Sequence, residues 1–344
     1  MRAVRFDEFD VTPAIVDVAA PECPPRGVVV AVKATGLCRS DWHAWVGHDD
    51  DIRLPHIPGH EFAGVVHEVG AEVPGWAVGD RVTAPFVYAC GTCAECASGN
   101  GQVCENQQQP GFTLPGSFAE FAVVLEAETN LVRLPEELGF VEAAALGCRF
   151  ATAFRAVVTQ GRLQAGEWVS VFGCGGVGLS AIMIAVALGA HVVAVDVSDA
   201  ALARAEALGA IPISARQPDV AAAVRAATDG GTHLSVDALG SLETSGQSVR
   251  SLRKRGRHVQ VGLMLGDQAL APVPMDLVVA NELELLGSHG MAAHEYPAML
   301  DLIASGALKP LALVGRTIGL DEAPDALATM ATSMHAGMTV ITLP

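Results

Sequence analysis

Gly173-Cys174-Gly175-Gly176-Val177-Gly178 is a G-x-G-x-x-G run, and its surroundings constrain the fold more than any other stretch of the chain. The run follows the apolar segment Trp168–Phe172, which reads as a buried strand, and it opens residues 177–188, which read as a helix. Residues 191–195 read as a second buried strand. In that order of elements the glycines let a pyrophosphate approach backbone amides at the positive end of a helix. Asp196 ends the second strand, about twenty residues on, where a carboxylate can accept hydrogen bonds from an adenosine ribose. The bland alternative is a glycine-rich packing turn without a ligand, and the strand–turn–helix context argues against it. Residues 168–195 contain no Asp, Glu, Lys or Arg, but Gly173, Gly175, Gly176, Gly178 and Gly189 break the stretch. Two strands around one helix are therefore expected, not a transmembrane span.

The pattern continues along the chain. Helical periodicity recurs at 199–208 and 219–227, and strand patterns at 233–238, 258–262 and 283–287. Strand and helix alternating at this spacing predict an α/β fold with a doubly wound parallel sheet and right-handed crossovers. The first part differs, with short β segments between Gly/Pro turns and apolar runs at 28–34, 64–69 and 117–125. After 287 come helical patterns near 294–305 and 321–336, too little for a third domain. The expected division is a mostly-β domain over 1–149, a nucleotide-binding domain over 150–286, and a tail, 287–344, returning to the first. A hydrophobic fraction of 51% against 17% charged residues excludes a disordered chain. The net charge of −17 argues against nucleic acid as a partner. Met1-Arg2-Ala3-Val4-Arg5-Phe6-Asp7 reaches an acid before an apolar run forms, so no signal peptide is read and a cytoplasmic protein with no membrane partner is expected.

Without a secretory signal, eight cysteines suggest metal or redox chemistry before disulfides. Cys90, Cys93, Cys96 and Cys104 form a C-x2-C-x2-C-x7-C run. Four thiolates that close suit a tetrahedral structural zinc with no open position, with an iron–sulfur cluster as the competitor. Gly91 and Gly99, with polar Thr92, Glu95 and Ser98 between them, describe an exposed loop and not a core. A second set is dispersed: Cys38, His60 and Cys148. Each alone reads as a packed core residue, but together they supply three ligands and leave a fourth position open, as a catalytic zinc needs. Glu61 and Asp41 are acids placed to hold an imidazole.

Three further features take bland readings. Arg250, Arg253, Lys254, Arg255 and Arg257 are expected to be a solvated helix C-terminus before a strand at His258, in preference to a nucleic-acid or 2′-phosphate site. Asp49-Asp50-Asp51 lacks the spaced ligands of a calcium loop and reads as a solvated turn. Cys23 and Cys174 read as bystanders, the latter filling the nucleotide turn.

Together these residues resemble the zinc-dependent alcohol dehydrogenases of the medium-chain dehydrogenase/reductase superfamily. The likeness covers essentially the whole chain. It is most specific in Gly59-His60-Glu61-x2-Gly64-x5-Gly70, followed by the four-cysteine lobe and the dinucleotide fingerprint. The resemblance implies a GroES-like catalytic domain built from both ends of the chain and a Rossmann domain, with the active site in the cleft between them. It implies that Cys38, His60 and Cys148 hold a catalytic zinc, that Asp41 orients His60, and that Glu61 is an acid able to approach the metal. Ser40 and His43 match the proton relay through the nicotinamide ribose, and Arg39 a contact to the cofactor pyrophosphate. Gly173, Gly175, Gly176, Val177, Gly178 and Asp196 would bind NAD. Phe86 matches a substrate-pocket wall, with Trp42, Trp45, Phe112 and Phe150 as looser candidates.

The implied reaction is hydride transfer between an alcohol and NAD, with an aldehyde or ketone in reverse and two zinc ions per chain. Zinc would lower the alcohol's pKa, and the protein would hold donor carbon and nicotinamide ring at reactive distance. Two positions depart from the family pattern. Met338 stands where many relatives carry an arginine that reaches the pyrophosphate, and Ala200 and Ala201 stand where a basic residue is common. The Ser117-Phe118-Ala119-Glu120 neighbourhood is also similar to threonine and polyol dehydrogenases, so a polyol, amino-alcohol or threonine dehydrogenase is the alternative. A non-catalytic zinc- and nucleotide-binding regulatory protein is the alternative from another class; it would be expected to lack one open-site ligand. The resemblance also favours a homotetramer over a dimer for a chain of this length.

Overall fold

The runs Val169–Phe172 and Val192–Val195 present no polar side to water, and both become central strands of a parallel sheet. The computed structural model describes residues 1–332 and 337–344, with Asp267 by its backbone only. Its contacts divide the chain into two units. One holds Met1–Ala151, Gly290–Asp301 and Pro310–Pro344, the other Thr152–His289 and Leu302–Lys309.

In the second unit six strands run in the order Ile211–Ser214, His191–Asp196, Trp168–Phe172, Thr232–Asp237, Leu252–Gln260, Glu284–Gly287, every neighbouring pair parallel. The doubly wound sheet is therefore as expected. The helix after the glycine turn spans Gly176–Ala187 and is buried along most of its length, which removes the membrane alternative for that stretch. Among the described residues no helix is long and apolar enough to cross a membrane. The expected helices at 199–208 and 219–227 are Asp199–Ala207 and Val220–Ala227. Ser198 and Asp219 start them by accepting hydrogen bonds from the amides of Ala201 and Ala222.

The basic patch is not a helix end. Only Arg250 lies in a helix, Leu242–Arg250, whereas Arg253, Lys254, Arg255 and Arg257 lie on the strand Leu252–Gln260. That strand begins six residues before the expected 258, because Leu252 pairs with Thr232 ahead of an irregularity in the ladder.

In the first unit a seven-stranded sheet is centred on Val28–Leu37, which pairs antiparallel with Glu61–Val69, Phe121–Val124 and Met338–Thr342. The tail strands Val314–Gly319 and Met338–Thr342 thus continue the sheet begun by the first forty residues. Phe62, Val66, Val82, Phe118 and Ile341 fill the core beneath it. The helix expected over 321–336 is shorter, a turn at Leu320–Glu322 and then Ala323–Ala328. Thr329 and Thr332 hydroxyls donate to the carbonyls of Asp325 and Thr329, competing with the helical ladder. Residues 333–336 of that expectation lie outside the described residues.

Candidate active site

The strand Val28–Leu37 delivers Cys38 to the start of the helix Arg39–Trp45. Asp41, in the first turn, folds its carboxylate back onto its own helix start and accepts the Cys38 amide at 2.8 Å. The same carboxylate accepts the Gly59 amide at 3.1 Å and lies 2.9 Å from His60 Nδ1. All of this is buried, so Asp41 holds the imidazole in the tautomer with its proton on Nδ1. His60 Nε2 faces away from that carboxylate and is buried without a hydrogen-bond partner. An orphaned nitrogen costs free energy unless something occupies its lone pair.

Cys148 arrives from the other side, on the widened helical turn Leu146–Phe150. Donor atoms of Cys38, His60, Glu61 and Cys148 all lie within 4.8 Å of one another. The two thiols shift in opposite directions. Cys38 is drawn well below the ordinary thiol range by its hydrogen bond with Cys148, against the opposing effect of burial, and Cys148 is pushed well above it by the same bond and by burial. Burial alone would lower His60, but Asp41 and Cys38 outweigh it and set the imidazole well above its ordinary value, so a metal at Nε2 would take the place of a proton. Two thiols and an imidazole whose unpartnered nitrogen lies among them suit a zinc ion.

Glu61 is anchored by a residue absent from the sequence expectations. Its Oε1 accepts the amides of Cys148 and Arg149 at 3.1 and 2.9 Å and Arg149 Nε at 3.0 Å, while Oε2 accepts from Arg149 Nη2. Burial pushes the carboxyl up, and the guanidinium offsets part of that. Gly147 makes room for the pair, since a Cβ there would fall 2.8 Å from the Glu61 Cα. The adjacency of Arg149 to Cys148 was the one sequence signal that could have raised it.

Cys90, Cys93, Cys96 and Cys104 also converge. Their sulfurs are separated by 3.4 Å (Cys93–Cys96), 3.7 Å (Cys93–Cys104) and 4.0 Å (Cys90–Cys96). A tetrahedron of sulfurs around zinc has edges of about 3.8 Å. Amides of Cys90 and Asn106 donate to Cys104 Sγ at 3.3 Å, and Thr92 Oγ1 and Asn106 Nδ2 donate to Cys90 Sγ, holding the latter thiol near 5.

Of the relay candidates, Ser40 Oγ is 3.8 Å from Cys38 Sγ. His43 Nδ1 lies 3.0 Å from Nδ1 of His48, a histidine the sequence reading did not single out. Arg39 stacks over Trp42 at 4.2 Å. Phe86 and Phe112 flank the His60 ring, with centroids 6.1 and 5.1 Å away. Trp45 is a core residue instead, its Nε1 donating to Val11 O, and Phe150 is fully buried. Cys23 donates to nearby carbonyls, and Asp51 N bonds the Asp49 side chain in a local turn.

In the second unit the glycines of the turn differ in the space around them. A Cβ on Gly178 would collide with the Gly173 carbonyl, which forces close packing of helix on turn, whereas a Cβ on Gly175 would meet nothing within 4 Å. That open position is where a phosphate can reach backbone amides. Asp196 is fixed beside it, accepting the amides of Cys174 and Ser198 at 2.7 and 2.8 Å. Cys174 is buried in the turn, pushed up to about 12 by burial and Asp196.

A zinc-suited cluster in a β domain and a dinucleotide turn on a parallel sheet define a zinc-binding dehydrogenase, and the comparisons agree. Residues 24–136 match the alcohol dehydrogenase GroES-like domain and 176–305 the zinc-binding dehydrogenase model. An alcohol dehydrogenase of Geobacillus stearothermophilus is 35% identical over 90% of this chain and 91% of its own. An NAD-dependent alcohol dehydrogenase of Sulfurisphaera tokodaii is 32% identical over 99% of each. The solved alcohol dehydrogenase of Thermus sp. ATN1 superposes with a TM-score of 0.93 at 34% identity over the whole of both chains. The chain belongs to the zinc-dependent alcohol dehydrogenases of the medium-chain dehydrogenase/reductase superfamily.

Proposed function

We propose that this protein oxidises an alcohol with NAD, and reduces the aldehyde or ketone in reverse, at the Cys38/His60/Cys148 centre. The observation that carries the reading is His60 Nε2: buried, partnerless, and aimed among the Cys38 and Cys148 sulfurs by Asp41 on the opposite nitrogen. Cys38, His60 and Cys148 would hold the metal, and a bound zinc supplies a Lewis acid that lowers an alcohol's pKa. The chain's own residues do the rest. Asp41 fixes the imidazole, and Arg149 ties Glu61 so that its carboxylate stays beside the donors. Ser40 takes the substrate's hydroxyl proton, and His43, followed by His48, carries it outward. Phe86 and Phe112 exclude water from the His60 side, with Trp42 beside His43. Arg39 offers a cation to the cofactor phosphates, and the turn from Gly173 to Gly178 offers amides.

The four-cysteine lobe has no open position, and we assign it a second zinc with a structural role, giving two per chain. NAD is favoured over NADP because Asp196 stands where an adenosine ribose would bind. A homotetramer is the assembly the family resemblance favours, and light scattering on a sizing column tests it. Steady-state kinetics across primary, secondary and polyhydroxy alcohols, with both cofactors, tests the activity. Zinc-loaded protein that reduces neither cofactor with any of these alcohols would overturn the reading.

A further inference from the structure

The cofactor turn and Asp196 lie at the carboxyl ends of the parallel strands. At the opposite, amino ends the second unit carries a cavity of about 390 Å³ with a different chemistry. Five of the chain's 21 Lys and Arg residues line it, Arg162, Arg253, Lys254, Arg255 and Arg257, against two carboxylates, Glu167 and Glu284. With His233 neutral the lining carries +3, in a chain whose total is −17. A strand of five residues separates the two ends by roughly 17 Å, so this patch does not serve the adenosine end of the cofactor.

The patch is built by an irregularity of the sheet. Between the pairs Thr232↔Leu252 and Leu234↔Arg257 the ladder advances two residues on one strand and five on the other. Four residues, Arg253, Lys254, Arg255 and Gly256, therefore stand opposite His233 alone, three more than a regular ladder holds, with Arg255 at φ +60. Left-handed backbone at a non-glycine residue and three adjacent cations both cost stability.

The cations are not all spent on carboxylates. Arg162 pairs with Glu284, Arg257 with Glu167 and Arg255 with Glu282. Among the described residues no carboxylate pairs with Arg253 or Lys254. Arg253 instead points a donor at a donor. His233 Nδ1 accepts the Trp168 amide at 3.0 Å, so the neutral ring carries its proton on Nε2, and Arg253 Nη1 lies 2.8 Å from that Nε2. Two N–H groups face each other with no acceptor between them. Burial and the neighbouring arginines lower the ring's pKa, and a proton added at Nδ1 would only set a second donor against the Trp168 amide.

We propose that this cavity is a binding site for a small phosphate-bearing anion, whose oxygens accept from both His233 Nε2–H and the Arg253 fork while Lys254 supplies a point charge. A phosphomonoester near neutral pH carries between one and two negative charges, which suits a +3 lining, and guanidinium forks match its oxygens. The volume lies in the range of small-molecule sites, and the strongly negative whole excludes polyanionic chains.

Calorimetric titration of the zinc-loaded protein, saturated with NAD to block the glycine turn, tests this with two probes, inorganic phosphate and fructose 1,6-bisphosphate. One saturable site per chain is expected for at least the bisphosphate, weakened at least tenfold in R253A/K254A, whose alcohol turnover and KM for NAD should stay unchanged. Binding of both probes would show that a single phosphate suffices; binding of the bisphosphate alone would show that a second anionic group is needed. Absence of saturable binding by either probe, or binding that the double substitution leaves intact, would overturn the proposal. Thermal melting of the variant confirms that it is folded, and His233→Asn, which removes the ring donor and keeps Arg253, should weaken the same binding.

Discussion

Arg149 and Glu61 form a buried two-point ion pair, and the Glu61 carboxylate also accepts the backbone amides of Cys148 and Arg149. The pair ties the first residue of the strand Glu61–Val69 to the turn that carries Cys148, two segments more than eighty residues apart in sequence. Removing one partner leaves the other charge buried and unpaired. Arg149→Ala should therefore cost about 3–5 kcal/mol of stability. Arg149→Lys should lose less, because it keeps the charge while losing the fork. Denaturant unfolding checks both, and a loss below about 1 kcal/mol for Arg149→Ala would show that the pair is not what holds the turn.

The two donor sets should part company on substitution. Cys38→Ser should abolish turnover and remove one zinc while the protein remains folded. Cys104→Ser should remove the other zinc and lower the melting temperature, with the Cys38 centre still loaded. Elemental analysis of fully loaded wild-type protein should find two zinc ions per chain; one would sink the assignment.

Much of this was legible in the chain, for identifiable reasons. The central strands of the parallel sheet are buried on both faces, so their apolar runs mark them plainly, and Trp168–Phe172 appears with its expected bounds. Cysteines at short spacing declare themselves as well. The Arg253–Arg255 bulge was not legible, because charge alone suggested a solvated helix end, whereas the pairing of Leu252 with Thr232 draws the segment into the sheet. Arg149 was missed because an arginine reads as surface until its partner, 88 positions away, is brought to it. Trp45 looked like a pocket residue beside Trp42, yet its side of a seven-residue helix faces the core.

His258 should make stability depend on pH. It is buried, with Nδ1 near the Ser248 and Ser235 hydroxyls and Nε2 near Gln260 Oε1, a network that suits the neutral ring. Burial sets its pKa below the ordinary value, with Gln260 and Asp237 opposing only in part. As pH falls below about 6.5 the unfolded chain takes up the proton first, so this contribution is intact above that value and is lost on acidification. Comparing unfolding midpoints at about pH 7.5 and about pH 5.5, His258→Asn should lose less between the two than wild type. An equal loss would mean that other groups carry the acid sensitivity.

His43 should serve proton transfer without touching metal. Burial, Arg39 and His48 lower its pKa, so the ring stands neutral and able to accept a proton, with His48 Nδ1 3.0 Å away to pass it on. His43→Gln should slow alcohol oxidation, most at low pH where solvent is a poorer base, by no more than about 10²–10⁴-fold. Zinc content should not change. Loss of metal in that variant would refute the role.

Asp196 should set the cofactor. Its carboxylate is fixed at the carboxyl end of the strand His191–Asp196 by the amides of Cys174 and Ser198, beside the open Gly175 position. A ribose there meets an acceptor, whereas a 2′-phosphate meets a negative charge. Residues 197–201 supply no cation, and Arg216, which follows the neighbouring strand Ile211–Ser214, faces Asp199 at 3.4 Å. The Arg253 cluster lies at the other end of the sheet and gives no relief. Close like charges in a partly desolvated site disfavour NADP on the order of 10²–10⁴-fold. The kcat/KM ratio for NAD over NADP should therefore be large in the unmodified enzyme. It should collapse in Asp196→Ser, which loses the ribose hydrogen bonds and the repulsion together. Equal or NADP-favouring values in the unmodified enzyme would show instead that Arg216 leaves Asp199 for the phosphate, and Arg216→Ala would then restore the preference for NAD.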